Sequence, residues 1–303
     1  MLHVVATAQA PAARAAGGSR SYPSRCGVGI PSAEQKGYVP LPRGDVFCPL
    51  IADPKAVESF FSYLHEGSAS ASPDTSVDIG SVGVGDSFGV GRWGGSRAGD
   101  GVQISIAGAV FAQFDLGSPS YDLLNADYTI GGVITTRSGP FSTLTRIYHQ
   151  SSHLGDEFLL RQGTTIKRED ISFEAAELLL SVDASALRLY GGGEYLLRRS
   201  PSDLEDYVAH TGVELRPPAH VIPLGELGGF RFLAAGDLKA SQEQDWKPSV
   251  SARAGFEYDR AELSDAPSRR WRLLFEYYRG PSPYGQFFRR DVKHMGVGLH
   301  FGL

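Results

Sequence analysis

VKHMGVGLHFGL, residues 292–303, alternates strictly: Met295, Val297, Leu299, Phe301 and Leu303 fall on one side of an extended chain, and His294, Gly296, Gly298, His300 and Gly302 on the other. Successive side chains of a β-strand point to opposite faces, so this stretch reads as a strand with one apolar wall and one polar wall, running to the last residue. The same pattern precedes it. Trp271, Leu273, Phe275 and Tyr277 oppose Arg272, Glu276 and Tyr278, while Val250, Ala252, Ala254, Phe256 and Tyr258 oppose Ser251, Arg253, Glu257 and Asp259. Val102, Ile104, Ile106 and Val110 oppose Gln103, Ser105 and Gln113.

A soluble sandwich also alternates, so the fold turns on which face lies inside. Long strands with Arg and Glu at mid-strand suit a barrel with lipid outside and a polar interior, and closure removes the sheet edges that hydrocarbon does not tolerate. The alternation predicts about twelve strands: 58–66, 75–92, 101–115, 125–138, 141–153, 170–183, 186–199, 205–216, 229–241, 247–260, 269–280 and 292–303. The expected fold is therefore all-β: an antiparallel transmembrane β-barrel over residues 58–303 in a bacterial outer membrane, with both ends in the periplasm. Residues 1–57 precede it. MLHVVATAQA reads as the tail of a signal peptide ending in an A-x-A-like AQA, which points to a start codon assigned too late. Residues 11–57, rich in Pro, Gly and Ser, read as an irregular periplasmic leader.

The composition agrees, with 37 Gly, 13 Tyr and 16 Phe in 303 residues. The net charge of -5 arises from 29 basic and 34 acidic residues mixed along the chain, without the clustered basic face of a nucleic-acid binder. Nucleic acid is excluded as a partner on that ground, and the absence of an 18-residue apolar run excludes a transmembrane helix. Cys26 and Cys48 fit neither a zinc knuckle nor a redox motif; they form a disulfide or stand as two unpaired thiols. Arg25, directly before Cys26, argues against a lipoprotein attachment site.

The chemistry-bearing stretch is RIYHQSSHLGDEFLLR, residues 146–161. On a strand, His149, Ser151 and His153 share one face and Gln150 and Ser152 the other, so a base neighbours a nucleophile. YHQSSHLG resembles the His-x-Ser-Asn-Gly motif of outer membrane phospholipase A and, more loosely, the His-x-Ser-Asn of lipid A deacylases. The final hairpin, WRLLFEYYRGPSPYGQFFRRDVKHMGVGLHFGL, is also similar to that of the phospholipase. GYVPLPRGDVFCPLIADPK, SSHLGDEFLLR and GPSPYGQFF resemble an uncharacterised bacterial family of predicted outer-membrane proteins, over nearly the whole chain. The phospholipase resemblance implies a twelve-stranded barrel with a serine hydrolase site on its lipid-facing wall, activated by dimerisation and calcium. It makes His149 the base and Ser151 the nucleophile, with membrane lipid as substrate and a homodimer as the assembly. The chain departs from the motif where Ser152 and His153 replace Asn and Gly, the glycine being displaced to Gly155. It departs again at Gly163, which stands at the family's spacing for the third catalytic member.

Geometry offers another third member. A hairpin symmetric about loop 154–169 pairs residues whose numbers sum to roughly 323, placing Glu174 opposite His149, on the face of Ala176, Leu178, Leu180 and Val182. Ser151, His149 and Glu174 would then perform acyl transfer as nucleophile, base and orienter. Ser152 or backbone N–H groups near Gly155 are the candidate oxyanion donors. Asp156 and Glu157 are candidate ligands for calcium, a cation served by oxygen. The plain alternative is a polar rim on a structural or transport barrel. A zinc site at His149, His153 and Asp156 is disfavoured, since positions i and i+4 of a strand lie about 13 Å apart. Gly85–Asp86–Ser87 matches a soluble-lipase nucleophile motif without the α/β framework that motif needs; it and Gly191–Gly193 read as strand kinks. Arg188, Glu194, Arg253 and Glu257 face the lumen and either plug it or line a pore.

Overall fold

The computed structural model describes residues 37–66, 77–95, 99–160, 169–259 and 270–302. In chain order its elements are β1 (Gly37–Pro40), β2 (Ser59–Glu66), β3 (Val77–Gly94), β4 (Gly101–Asp115), β5 (Leu123–Ser138), β6 (Phe141–Leu154), a short helix α1 (Asp156–Leu160), β7 (Ile171–Ala184), β8 (Leu187–Ser200), β9 (Tyr207–Leu215), β10 (Ile222–Pro223), β11 (Gly229–Ser241), β12 (Pro248–Asp259), β13 (Arg270–Pro281) and β14 (Asp291–Gly302). Twelve of the strands form a closed antiparallel barrel. Its seam is the pairing of β14 with β2, in which Met295 meets His65 and Phe301 meets Ser59. The two short extra strands add to this ring, β1 on the end of β3 and β10 on β11. We call the end at which β14 finishes the lower end, and the end carrying α1 the upper end. None of the helices among the described residues is long and apolar enough to cross a membrane.

The alternation read from sequence sorts the two walls. Met295, Val297, Leu273 and Phe275 remain 45–52% exposed on the outside, whereas Arg188, His300, Gln103 and Glu257 are almost fully buried within. Such an inversion of the usual burial order marks an outer surface built for an apolar solvent. Leu303, the end of the apolar ladder, lies outside the described residues.

Residues 41–58 carry no regular element, as their Pro and Gly content implies, and they are housed in the lumen. Val46, Phe47, Cys48, Leu50, Ile51 and Ala52 are all buried. An irregular buried chain has no ladder to satisfy its peptide groups, and the inward charges of the barrel supply the partners. Arg137 Nε donates to the Val46 carbonyl at 2.8 Å, Arg188 Nη1 to Cys48 at 3.0 Å and Arg253 Nη1 to Ile51 at 2.9 Å. Glu214 Oε1 accepts from the Ile51 N–H at 2.8 Å. Phe47 and Leu50 pack on Leu179 and Tyr190, and Ile51 on Leu233 and Leu274. The charges left over pair with each other, Arg216 with Glu257 at 2.5 Å and Arg272 with Glu58 at 2.6 Å, as buried ions must. The lumen charges thus hold a plug made of the chain itself. Cys48 is disulfide-bonded; Cys26, the chain's other cysteine, lies outside the described residues.

The upper tip of the plug is latched. Lys55 Nζ pairs with the buried Asp127 and lies 4.5 Å and 4.4 Å from the ring centroids of Phe111 and Tyr284. Burial raises the pKa of the Tyr284 phenol well above its ordinary range, keeping it neutral against Ser81.

Two expected kinks are corrected. β8 passes through Gly191–Gly193 without a register break; a Cβ at Gly192 would lie 1.9 Å from the Leu178 carbonyl oxygen, so close backbone approach requires the glycine. At Gly85–Asp86–Ser87 the strand is also continuous, the nearby break falling between Gly89 and Gly91, and Ser87 Oγ donates to Asp45 of the plug at 3.1 Å.

Candidate active site

β6 presents Ile147, His149, Ser151 and His153 outward because the alternate residues face the lumen, Tyr148 and Ser152 buried there and Gln150 half-buried. β7 answers with Ser172, Glu174 and Ala176 on the same outer wall. The register is the symmetric one: His149 and Glu174 are partners, and His149 Nδ1 lies 3.0 Å from Glu174 Oε1. Their side chains are 42% and 38% exposed. The carboxylate holds the ring through Nδ1 and leaves Nε2 for another partner.

Ser151 follows on the same wall, between Tyr128 of β5 and Ser172 of β7. The i to i+2 step along a strand is about 7 Å, and among the described residues Ser151 Oγ makes no hydrogen bond. The structure therefore brings two of the three groups together and places the third beside them. His153 packs edge-on against Tyr128, with centroids 5.7 Å apart.

Neither expected oxyanion donor faces Ser151. Ser152 points into the lumen, where its hydroxyl is bonded to Asp127 and, at 3.1 Å, to Asn125. The Gly155 N–H donates to the Leu124 carbonyl at 3.3 Å. A Cβ at Gly155 would lie 1.8 Å from the Leu123 carbonyl oxygen, so this glycine serves the tight passage from strand to helix. Asp156 and Glu157 stand exposed in the first turn of α1, which is anchored by Phe158 against Phe287 at 6.0 Å. Among the described residues no three His, Cys, Asp or Glu side chains converge as a metal site. Gly163 lies outside the described residues.

Two neighbours escaped the sequence reading. Ser172, across from Ser151, puts a second hydroxyl on the wall. Arg198, exposed on β8, is the partner of Glu174 at a register break between Glu174 and Ala175. A bulge of this kind re-aims a side chain; it left no trace in the alternation because Leu196 and Leu197 are both apolar.

The fold has known counterparts. The chain resembles outer membrane phospholipase A from Escherichia coli, at 10% identity and a TM-score of 0.53, over 82% of this chain and 92% of that one. The Salmonella typhi outer membrane phospholipase, described as a dimer with bound calcium, gives 11% identity and a TM-score of 0.52 over 82% of this chain and 93% of that one. At such identities the likeness is one of fold. No curated protein matches the chain in sequence. Residues 19–303 match the family described as "Protein of unknown function (DUF1207)", and the chain belongs to that family.

Proposed function

We propose that this barrel resides in the outer membrane and is a serine acyl hydrolase acting on membrane lipids from its outer wall. The observation that carries the reading is the His149–Glu174 hydrogen bond of 3.0 Å on that wall, one strand step from Ser151. With Nδ1 held by Glu174, Nε2 takes the Ser151 proton as Oγ attacks an ester carbonyl, and returns it to the leaving alcohol; water then releases the acyl group by the same route. Glu174 orients the ring and balances the imidazolium. Ser172, across from Ser151, is the side-chain donor this reading assigns to the oxyanion, and Arg198 is a counter-charge for a phosphate headgroup.

The Salmonella neighbour is described as a calcium-bound dimer. By analogy, the proposal includes a second copy of this chain on the apolar wall and calcium at Asp156 and Glu157, completed by further oxygen ligands. The test is fatty-acid release from phospholipid–detergent micelles with calcium and with a chelator. Wild type should hydrolyse the ester and Ser151→Ala should not; equal rates would leave a polar rim on a non-catalytic barrel.

A further inference from the structure

Three cavities follow one another through the lumen beside the plug. The upper, of about 210 Å³, is bounded by Lys247, Ser282 and Phe288 near the upper end; a middle one of about 80 Å³ follows; the lower, of about 510 Å³, reaches Arg270 and Gly302. The upper and middle cavities share Asp53, Lys55 and Arg146 in their walls. The middle and lower share Asp45, Pro49, Val57 and Ser87. Both necks are thus formed in part by residues 45–57, and the volumes form a path interrupted by the plug.

The two limbs of the plug are held differently. The lower limb is fixed by buried apolar side chains and by the backbone hydrogen bonds from Arg137, Arg188 and Arg253. The upper limb is a self-contained turn, in which the Ala56 N–H donates to the Asp53 carbonyl at 3.2 Å and the Lys55 N–H to Asp53 Oδ1 at 2.9 Å. Its polar ties to the wall are Lys55 to Asp127, and Asp53 to Lys239 at 3.1 Å. A compact turn held by side-chain pairs can swing away without unravelling the backbone bonds below it.

The wall chemistry names the solute. Among the described residues, cationic and anionic side chains line the three cavities in equal number, eight of each. They face one another, as Arg146 does Glu177 at 2.9 Å. Pores that select ions of one sign use rings of one charge. A wall of opposed charges repels a bare ion at half its groups, yet offers a partner to both ends of a molecule carrying an ammonium and a carboxylate.

We propose that the lumen is a closed passage for small zwitterionic solutes, with the Asp53–Ala56 turn as its gate. This function uses the inside of the wall and is independent of any hydrolysis outside. Removing Lys55 leaves the buried Asp127 charge uncompensated, a state relieved when the turn swings out and water enters.

The experiment is swelling of vesicles of diether phosphatidylcholine, which offers no ester bond to a hydrolase, holding the full-length protein, in iso-osmotic glycine or sodium chloride. Wild type should stay near protein-free vesicles. Lys55→Met should admit glycine faster by on the order of tenfold, the shift expected when one closing pair is lost, with sodium chloride slower than glycine. Lys239→Met, which frees Asp53, should act in the same direction and stands in if the first variant fails to fold. Ser151→Ala should swell as wild type does, so the hydrolase reading and this one fail separately. Both lysine variants folded, by heat-modifiable migration, and still tight to glycine would overturn the passage. Wild type as permeable as the variants would overturn the gate, and faster entry of salt than glycine the solute assignment.

Discussion

At the scale of single residues, the outer wall near the upper end of β6 and the lumen beneath it are two chemical worlds one residue apart. His149 and Ser151 face out, and Ser152 faces in to Asp127. Under the hydrolase reading, His149→Ala should fail as completely as Ser151→Ala, since groups acting as a unit lose most of the rate together. Glu174→Gln should keep part of the activity, because an amide still orients the ring without balancing its charge; initial rates of ester release check both. Ser152→Ala should leave that rate near wild type while weakening the barrel by about 1 kcal/mol, the worth of one buried hydrogen bond, read from denaturant midpoints in detergent. Loss of hydrolysis with Ser152→Ala alone would contradict the assignment of faces. The pairing of His149 with Glu174 was legible because alternation set the face and the loop between β6 and β7 set the sum of paired numbers. What the sequence could not disclose is that Gly155 spends its N–H on Leu124, since that depends on how the chain leaves the strand.

At the scale of elements, β14 tests the sidedness of the whole wall. Val297 lies mid-strand and outward, 49% exposed. A lysine there should cost roughly 2–4 kcal/mol at mid-bilayer, with Phe301→Asp costing less because it sits next to the strand end, nearer the interface. Unfolding titrations in lipid vesicles would read this, and a negligible cost for Val297→Lys would mean that this face does not meet lipid. The predicted strand bounds match the observed ones to within three residues; β7, expected over 170–183, spans Ile171–Ala184. Strands are legible because one-sided burial imposes period two on every segment. The bulge opposite Glu174 is not, for adjacent leucines hide the extra residue. Nor was the plug, whose Val46, Phe47, Leu50 and Ile51 are buried by contacts arriving from all around the ring, a setting that demands no period.

At the scale of the molecule, a ring in which every spanning strand has two neighbours should keep its ladder in mild detergent and give a β-rich circular dichroism spectrum with heat-modifiable gel migration. A helix-rich spectrum would contradict the fold.

The seam between β2 and β14 joins the first spanning strand to the last, and the plug is the stretch immediately before β2. The segment enters and leaves the ring at the lower end, from β1 on β3 to the start of β2, so it is a loop folded into the lumen and not a chain threaded through it. Glu58, the last plug residue, bridges Arg272 of β13 and His300 of β14 at 2.6 Å and 2.8 Å. The filling thus touches the very strands that close the ring, and a ring closed without it would hold Arg272 and His300 in its wall without the carboxylate they share.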